Sequence, residues 1–66
     1  MIVRDFTQEE IDYFLRVCNF NRYETPLFIM RAKGDNLEHI AEVLNISPSY
    51  ARKVSQRVNR KIIKCL

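Results

Sequence analysis

The amino-acid sequence predicts a small all-α domain of four helices. Apolar residues recur at three- and four-residue intervals in four segments, which is the spacing of amphipathic helices. Residues that favour helix ends separate these segments. The chain contains a single Gly and two Pro, which are too few for the many turns of a β-rich fold. A chain of 66 residues has room for one domain, residues 1–66. The four helices are expected at about residues 8–18, 22–33, 37–44 and 48–63.

The first helix is expected to begin after Thr7. Thr7 and Glu10 have the spacing of a capping box, in which the hydroxyl accepts from the Glu10 amide and the carboxylate accepts from the Thr7 amide. Residues 19–21 end the helix. The predicted inward-facing residues are Ile11, Phe14, Leu15 and Cys18.

The second helix has two candidate starts. Asn21 with Glu24 is one possible cap, and Thr25 followed by Pro26 at the first helical position is the other. Gly34 follows the predicted end, where a left-handed residue is favoured. The expected inward-facing residues are Tyr23, Leu27, Phe28 and Met30.

The third helix is short and is followed closely by the fourth. Asn36 is predicted to cap the third helix, and Asn45 to take the left-handed conformation in the turn, with Ile46 filling the corner. Ser47 and Pro48 are a favoured cap and first residue for the fourth helix. The predicted inward positions are Leu37, Ile40, Ala41 and Leu44 in the third helix, and Ala51, Val54, Val58 and Ile62 in the fourth.

Charge is distributed unevenly along the chain. Residues 1–44 contain five Lys or Arg and eight Asp or Glu, whereas residues 45–66 contain six Lys or Arg and no acid. Such a basic block, carried on a helix, indicates a polyanionic partner. The structural alternative is a cationic face that is only solvated.

The short helix, tight turn and longer helix together predict a helix-turn-helix at residues 37–62. This segment, LEHIAEVLNISPSYARKVSQRVNRKI, resembles the promoter-recognition region 4 of bacterial sigma-70 factors and, more loosely, LuxR-type regulators. The features that carry the resemblance are Leu37-Glu38, Ile40, Val43, Asn45-Ile46-Ser47, Arg52, Val54 and Arg60-Lys61-Ile62. The resemblance implies a bacterial or phage DNA-binding domain whose helix 48–63 enters the major groove.

The sequence departs from that family at its main base-reading positions. An Arg-Glu pair and a Gln of the family correspond to Pro48, Ser49 and Lys53 here, so we do not expect the usual −35 promoter element to be read. Arg52 matches a basic position of the family that contacts phosphate.

The candidate DNA-binding site contains eight residues of the fourth helix and its cap: Ser47, Ser49, Tyr50, Arg52, Lys53, Gln56, Arg57 and Arg60. Lys53 can donate to guanine and Gln56 can pair with adenine, whereas the three arginines are placed for phosphate contacts. Ser49 and Tyr50 are also expected to reach base edges. The alternative for Tyr50 is that its ring packs against the third helix.

The predicted function is therefore sequence-specific duplex DNA binding by a small transcriptional regulator. The alternative is a protein-interaction module that uses the same fold to bind RNA polymerase, another regulator or a phage partner. A homodimer or a larger complex is also expected, and the candidate contact is the apolar end Ile62-Ile63-Lys64-Cys65-Leu66. The alternative is that Ile62 belongs to the core and the rest of this segment frays.

Other function classes find little support in the sequence. We expect no enzyme activity, because no nucleophile and base have plausible spacing and no glycine-rich phosphate loop occurs. Cys18, Cys65 and His39 lack metal-ligand spacing, so we expect no metal, cofactor or small-molecule ligand, and we expect Cys65 to be inert. No apolar run is long enough to cross a membrane, and residues 1–5 lack the apolar stretch of a signal peptide. A cytoplasmic protein is expected.

Overall fold

A computed structural model describes residues 6–66 of the protein, and these residues form four α-helices and no strand. The helices are α1 (Gln8–Val17), α2 (Glu24–Ala32), α3 (Leu37–Leu44) and α4 (Pro48–Lys64). The predicted all-α class is confirmed, and the ends of the predicted helices differ from these bounds by at most two residues. Residues 1–5, which carry the expectation about a signal peptide, lie outside the described residues.

The first two helices begin with reciprocal side-chain caps. Thr7 and Glu10 form the predicted capping box. At the start of α2, the Asn21 carboxamide oxygen accepts from the Glu24 amide at 2.9 Å, and the Glu24 carboxylate accepts from the Asn21 amide at 3.0 Å. The Thr25 hydroxyl instead donates to a backbone carbonyl in the preceding turn. Of the two caps that the sequence left open, the one between Asn21 and Glu24 is formed, although α2 itself begins at Glu24, two residues after the predicted start.

Left-handed residues end α2 and α3, as predicted. Gly34 has a φ of 97° and Asn45 a φ of 57°. After α3, the Ile46 amide donates to the Ala41 carbonyl at 2.9 Å, and this carbonyl also accepts from the Asn45 amide. The chain therefore reverses within residues 45–47 and enters α4 directly. Ile46 itself is only half-buried, so it fills the corner less completely than expected.

The next two helices also begin with the predicted caps. The Asn36 carboxamide oxygen accepts from the His39 amide at 2.8 Å, and the Ser47 hydroxyl accepts from the Tyr50 amide at 3.1 Å. Pro48 is the first residue of α4, where its missing N–H leaves no bond unmade.

The core lies between α4 and the helices that pack against it, α2 and α3. Phe28 of α2 is fully buried, and the rings of Phe6, Phe14 and Phe20 surround it at centroid distances of 5.0 to 6.4 Å. The four predicted inward residues of α4 are all buried, as are Ile40 and Ala41 of α3. This packing fixes which side of α4 remains exposed. No helix in residues 6–66 has the length and apolarity needed to span a membrane.

Candidate nucleic-acid interface

The exposed face of α4 is a polar strip on the side away from the core. Ser49, Lys53, Gln56 and Arg60 are all exposed. They follow one another at intervals of four, three and four residues, so their side chains lie along one line of the helix. Three of them (Ser49, Lys53 and Gln56) belong to the first two and a half turns after the Ser47 cap. The structure thus brings most of the predicted base-reading residues together on one accessible surface.

Unpaired cations flank this strip. Arg52 lies on one side, and Arg57 and Lys64 lie on the other, and all three are exposed. Within residues 6–66, ion pairing at 4 Å or less is confined to Lys61 and Glu24, so the other five basic residues of α4 have no acidic partner there. We call these five, together with Ser49 and Gln56, the α4 outer face: Ser49, Arg52, Lys53, Gln56, Arg57, Arg60 and Lys64. It presents positive charge that the fold does not neutralise.

Lys61 differs from the other cations because it is part of the structural framework. Its ammonium donates to the Glu24 carboxylate at 2.5 Å and to the Asn19 carbonyl at 3.2 Å. Burial alone would raise the pKa of Glu24, but the hydrogen bonds from Lys61 and Asn21 and the charges of Lys61 and Arg57 together lower it below its usual range. Glu24 is thus held as a buried carboxylate that anchors α2 to α4.

A shallow groove next to this ion pair carries the cations of the last turns of α4. It has a volume of about 190 Å³ and is lined by Glu24, Arg57, Arg60, Lys61 and Lys64. Because Lys61 already neutralises Glu24, the other three side chains leave the groove cationic. Its chemistry suits anionic oxygens such as those of phosphate.

A second cleft, with two arginines and one acid, lies where α3 and α4 begin. Its volume is about 300 Å³, and it is lined by Arg31, Arg52, Glu38, Asn36, Leu37 and Pro48. Arg31 belongs to α2, and its guanidinium also donates to the Asp35 carbonyl at 3.2 Å. Sequence reasoning missed Arg31, because the fold and not the sequence spacing places it beside Arg52.

Two of the predicted site residues stabilise the fold. The Ser47 hydroxyl is engaged in capping α4. The Tyr50 ring is half-buried and packs edge-on against Tyr23 at a centroid distance of 5.9 Å. This aromatic contact joins Tyr50 to the residue before α2, a partner that the sequence analysis did not predict. Neither side chain projects as freely as those of the α4 outer face.

Large hydrophobic side chains are exposed in three other places, and the first is on α1, at Tyr13 and Val17. Val43 on α3 is 56% exposed, and Ile63 and Leu66 at the end of α4 are 59% and 82% exposed. Val43, Ile63 and Leu66 are the surface on which the protein-interaction alternative and the predicted homodimer depend.

Comparisons with known proteins add no relative to this description. No protein-family model matches the chain, and no significant match was found among curated proteins or solved structures. The similarity to sigma-70 region 4 thus stays a prediction based on residues 37–62.

Proposed function

We propose that the protein is a cytoplasmic transcriptional regulator that binds duplex DNA with α4 in the major groove. The observation that carries the proposal is the α4 outer face, on which five cations without an acidic partner lie within and beside a polar strip. Isolated positive charge on an ordered helix matches the phosphates that border a groove, and a single helix fits within the groove itself.

The residues of the α4 outer face have separate roles in this proposal. Lys53 and Gln56 contact base edges, because they lie on the central strip near the start of the helix. Arg52 and Arg57 lie on opposite sides of that strip, so they contact phosphates on the two borders of the groove. Ser47 and Tyr50 act indirectly, because they fix the position of the start of α4 relative to the rest of the domain.

A second copy of the chain would raise the affinity. A single recognition helix makes few base contacts. When two copies are linked, binding of the first copy to one half-site gives the second copy a high effective concentration at the other half-site. Ile63 and Leu66 are exposed apolar residues at the end of α4, and we propose them as the contact between copies.

The second candidate function is a protein-interaction module for RNA polymerase, another regulator or a phage partner. The exposed side chain of Val43 favours it, because it adds apolar surface on α3, away from the end of α4. Such a module would depend on Val43, Ile63 and Leu66 and would be insensitive to the loss of α4 cations.

Fluorescence anisotropy with a labelled random-sequence duplex over a salt series tests the DNA-binding proposal. If about four phosphates are neutralised, the logarithm of the association constant should fall with the logarithm of salt concentration at a slope of roughly −3.6. The double variant Arg52→Ala, Arg57→Ala should reduce the steepness of that slope by about two. Arg16→Ala is the matched control, since it removes an exposed cation from α1 instead. Absence of binding at low salt would refute DNA binding and favour the interaction module.

A further inference from the structure

The two cysteines of the chain are neighbours in the fold. Cys18 and Cys65 are 47 residues apart in sequence, yet their Sγ atoms lie 3.0 Å from each other and both are free thiols. Cys18 is the C-cap residue that follows α1, and Cys65 is the C-cap residue that follows α4. A disulfide bond is about 2.05 Å long, so a shift of roughly 1 Å would join the two sulfurs.

Backbone contacts hold the two thiols in this position. The Cys18 thiol is also within reach of the Lys61 carbonyl at 3.6 Å, and the Cys65 thiol lies 3.8 Å from the Val17 carbonyl. Each sulfur therefore packs against the helix that carries the other. The side-chain cap of α2 and the ion pair of Lys61 with Glu24 hold the intervening chain in place.

We propose that Cys18 and Cys65 form a reversible disulfide site, which accepts oxidising equivalents from a small-molecule disulfide of the glutathione type and cross-links α1 to the end of α4. The inference does not depend on DNA binding.

The accessibility of the two thiols sets the order of the reaction. Cys65 is half-buried, whereas Cys18 is only 5% exposed. Burial, together with the hydrogen bond and charge of Cys65, raises the pKa of Cys18 to about 12 against a smaller opposite effect of Lys61. Cys65 is therefore the thiol that meets the oxidant, and Cys18 acts second, inside the fold.

The exchange balances in two steps. Cys65 loses its proton to solvent, and the resulting thiolate attacks one sulfur of the small-molecule disulfide, forms a mixed disulfide and releases one thiolate, which takes up a proton from solvent as the second one does later. Cys18 then loses its proton to solvent and attacks the Cys65 sulfur, which releases the second thiolate. Overall, two protein thiols are oxidised to one disulfide, and one small-molecule disulfide is reduced to two thiols.

Oxidation should make the domain more resistant to heat. The new bond would close a long loop between α1 and α4 and so restrict the unfolded chain. For a domain of this size, the expected rise in Tm is roughly 10 °C or more. The oxidised state would also prevent α1 from separating from α4.

Incubation of the full chain with oxidised glutathione, followed by non-reducing mass spectrometry and thermal melting, tests the site. We expect a monomer lighter by two hydrogens, a linked pair of peptides containing Cys18 and Cys65, the rise in Tm, and reversal by dithiothreitol. In redox buffers, we would measure the squared concentration of reduced glutathione divided by the concentration of oxidised glutathione at which half of the protein is reduced. This ratio should be at least about tenfold higher for the folded protein than for the denatured protein.

Cys65→Ser is the control variant, because Cys65 is half-buried and its replacement leaves the buried Cys18 in place. It should show neither the loss of hydrogens nor the rise in Tm. Two results with the unaltered chain would overturn the proposal. One is a folded protein that keeps glutathione on Cys65 without closing the ring, and the other is a covalent dimer in place of the internal bond.

Discussion

The two faces of α4 have the same backbone but opposite relations to the rest of the protein. The inner face consists of Ala51, Val54, Val58 and Ile62, which are at most 2% exposed. The α4 outer face is exposed and rich in cations. Lys61 lies at the border between them and is paired with Glu24. Stability and the proposed DNA binding therefore depend on separate sets of side chains on one helix, so substitutions should affect one without the other.

The largest expected effect on stability is at the inner face. Ile62→Ala removes a fully buried side chain and leaves a cavity, so it should lower the free energy of unfolding by about 2–5 kcal/mol. A domain of this size has little stability to spare, so a variant near the upper limit would be largely unfolded. Urea denaturation followed by circular dichroism measures the loss.

Ile63→Ala is the matched control, one residue further along the same helix. Its side chain is 59% exposed, so the expected change is within about 0.5 kcal/mol. Equal losses for the two variants at all protein concentrations would contradict the assignment of the two faces. A loss at Ile63 that grows as the protein is diluted would instead indicate the proposed contact between copies.

Sequence reasoning succeeded where the determining interactions are local. The caps at Thr7, Asn36 and Ser47 and the left-handed residues Gly34 and Asn45 each depend on residues no more than five positions apart. The inner face of α4 was also predictable, because helical geometry converts apolar spacing into a side of the helix. These features determine four helices and which face of α4 is exposed.

Contacts between distant parts of the chain escaped the sequence analysis. The sequence analysis counted Lys61 only as one member of the basic block in residues 45–66, because its partner Glu24 is 37 residues away. Likewise, nothing local indicated that Cys18 meets Cys65, or that Tyr50 packs against Tyr23. Each contact depends on how α4 crosses the first half of the chain, which spacing within one helix does not encode.

Substitution of Lys61, at the border of the two faces, should lower stability less than Ile62→Ala does. Lys61→Met keeps the aliphatic stem but leaves the Glu24 carboxylate buried without its ammonium partner. Removing one member of a buried pair costs about 3–5 kcal/mol. Lys61 is 36% exposed and Asn21 still donates to Glu24, so we expect a smaller loss of about 1–2 kcal/mol.

The pH dependence of the stability loss in Lys61→Met tests whether the ionised Glu24 carboxylate is its cause. The pKa of Glu24 is lowered in the folded protein, so its stabilising contribution is fully present above the ordinary value of 4.5 and is lost as pH falls through the lower folded value. Thermal melts should therefore show a larger difference between Lys61→Met and the unaltered chain at about pH 7 than at about pH 3. Lys64→Met, an exposed and unpaired position, should show neither the loss nor this pH dependence. A pH-independent loss at Lys61 would point to lost packing of its stem instead.

The smallest effect on stability is expected at the α4 outer face, where the consequences should appear in DNA binding alone. Lys53→Ala and Arg57→Ala each remove one exposed cation. The free energy of unfolding of each variant should therefore lie within about 0.5 kcal/mol of the value for the unaltered chain. With a panel of duplex sequences, Lys53→Ala should reduce the discrimination between sequences by about 1–3 kcal/mol at the base that it reads. Arg57→Ala should weaken binding to all of them equally and reduce the salt slope by about one.

The equal charge of the two variants makes the comparison specific. Both lose a single positive charge, so long-range attraction to DNA falls by about the same amount, and a difference in sequence discrimination between them reflects which groups of the DNA each side chain contacts. Lys53 lies on the central strip and Arg57 beside it, which is the geometric reason for the separate roles. Identical effects across the panel would show that α4 binds DNA only through its charge. A loss of stability in either variant would show that the α4 outer face also supports the fold.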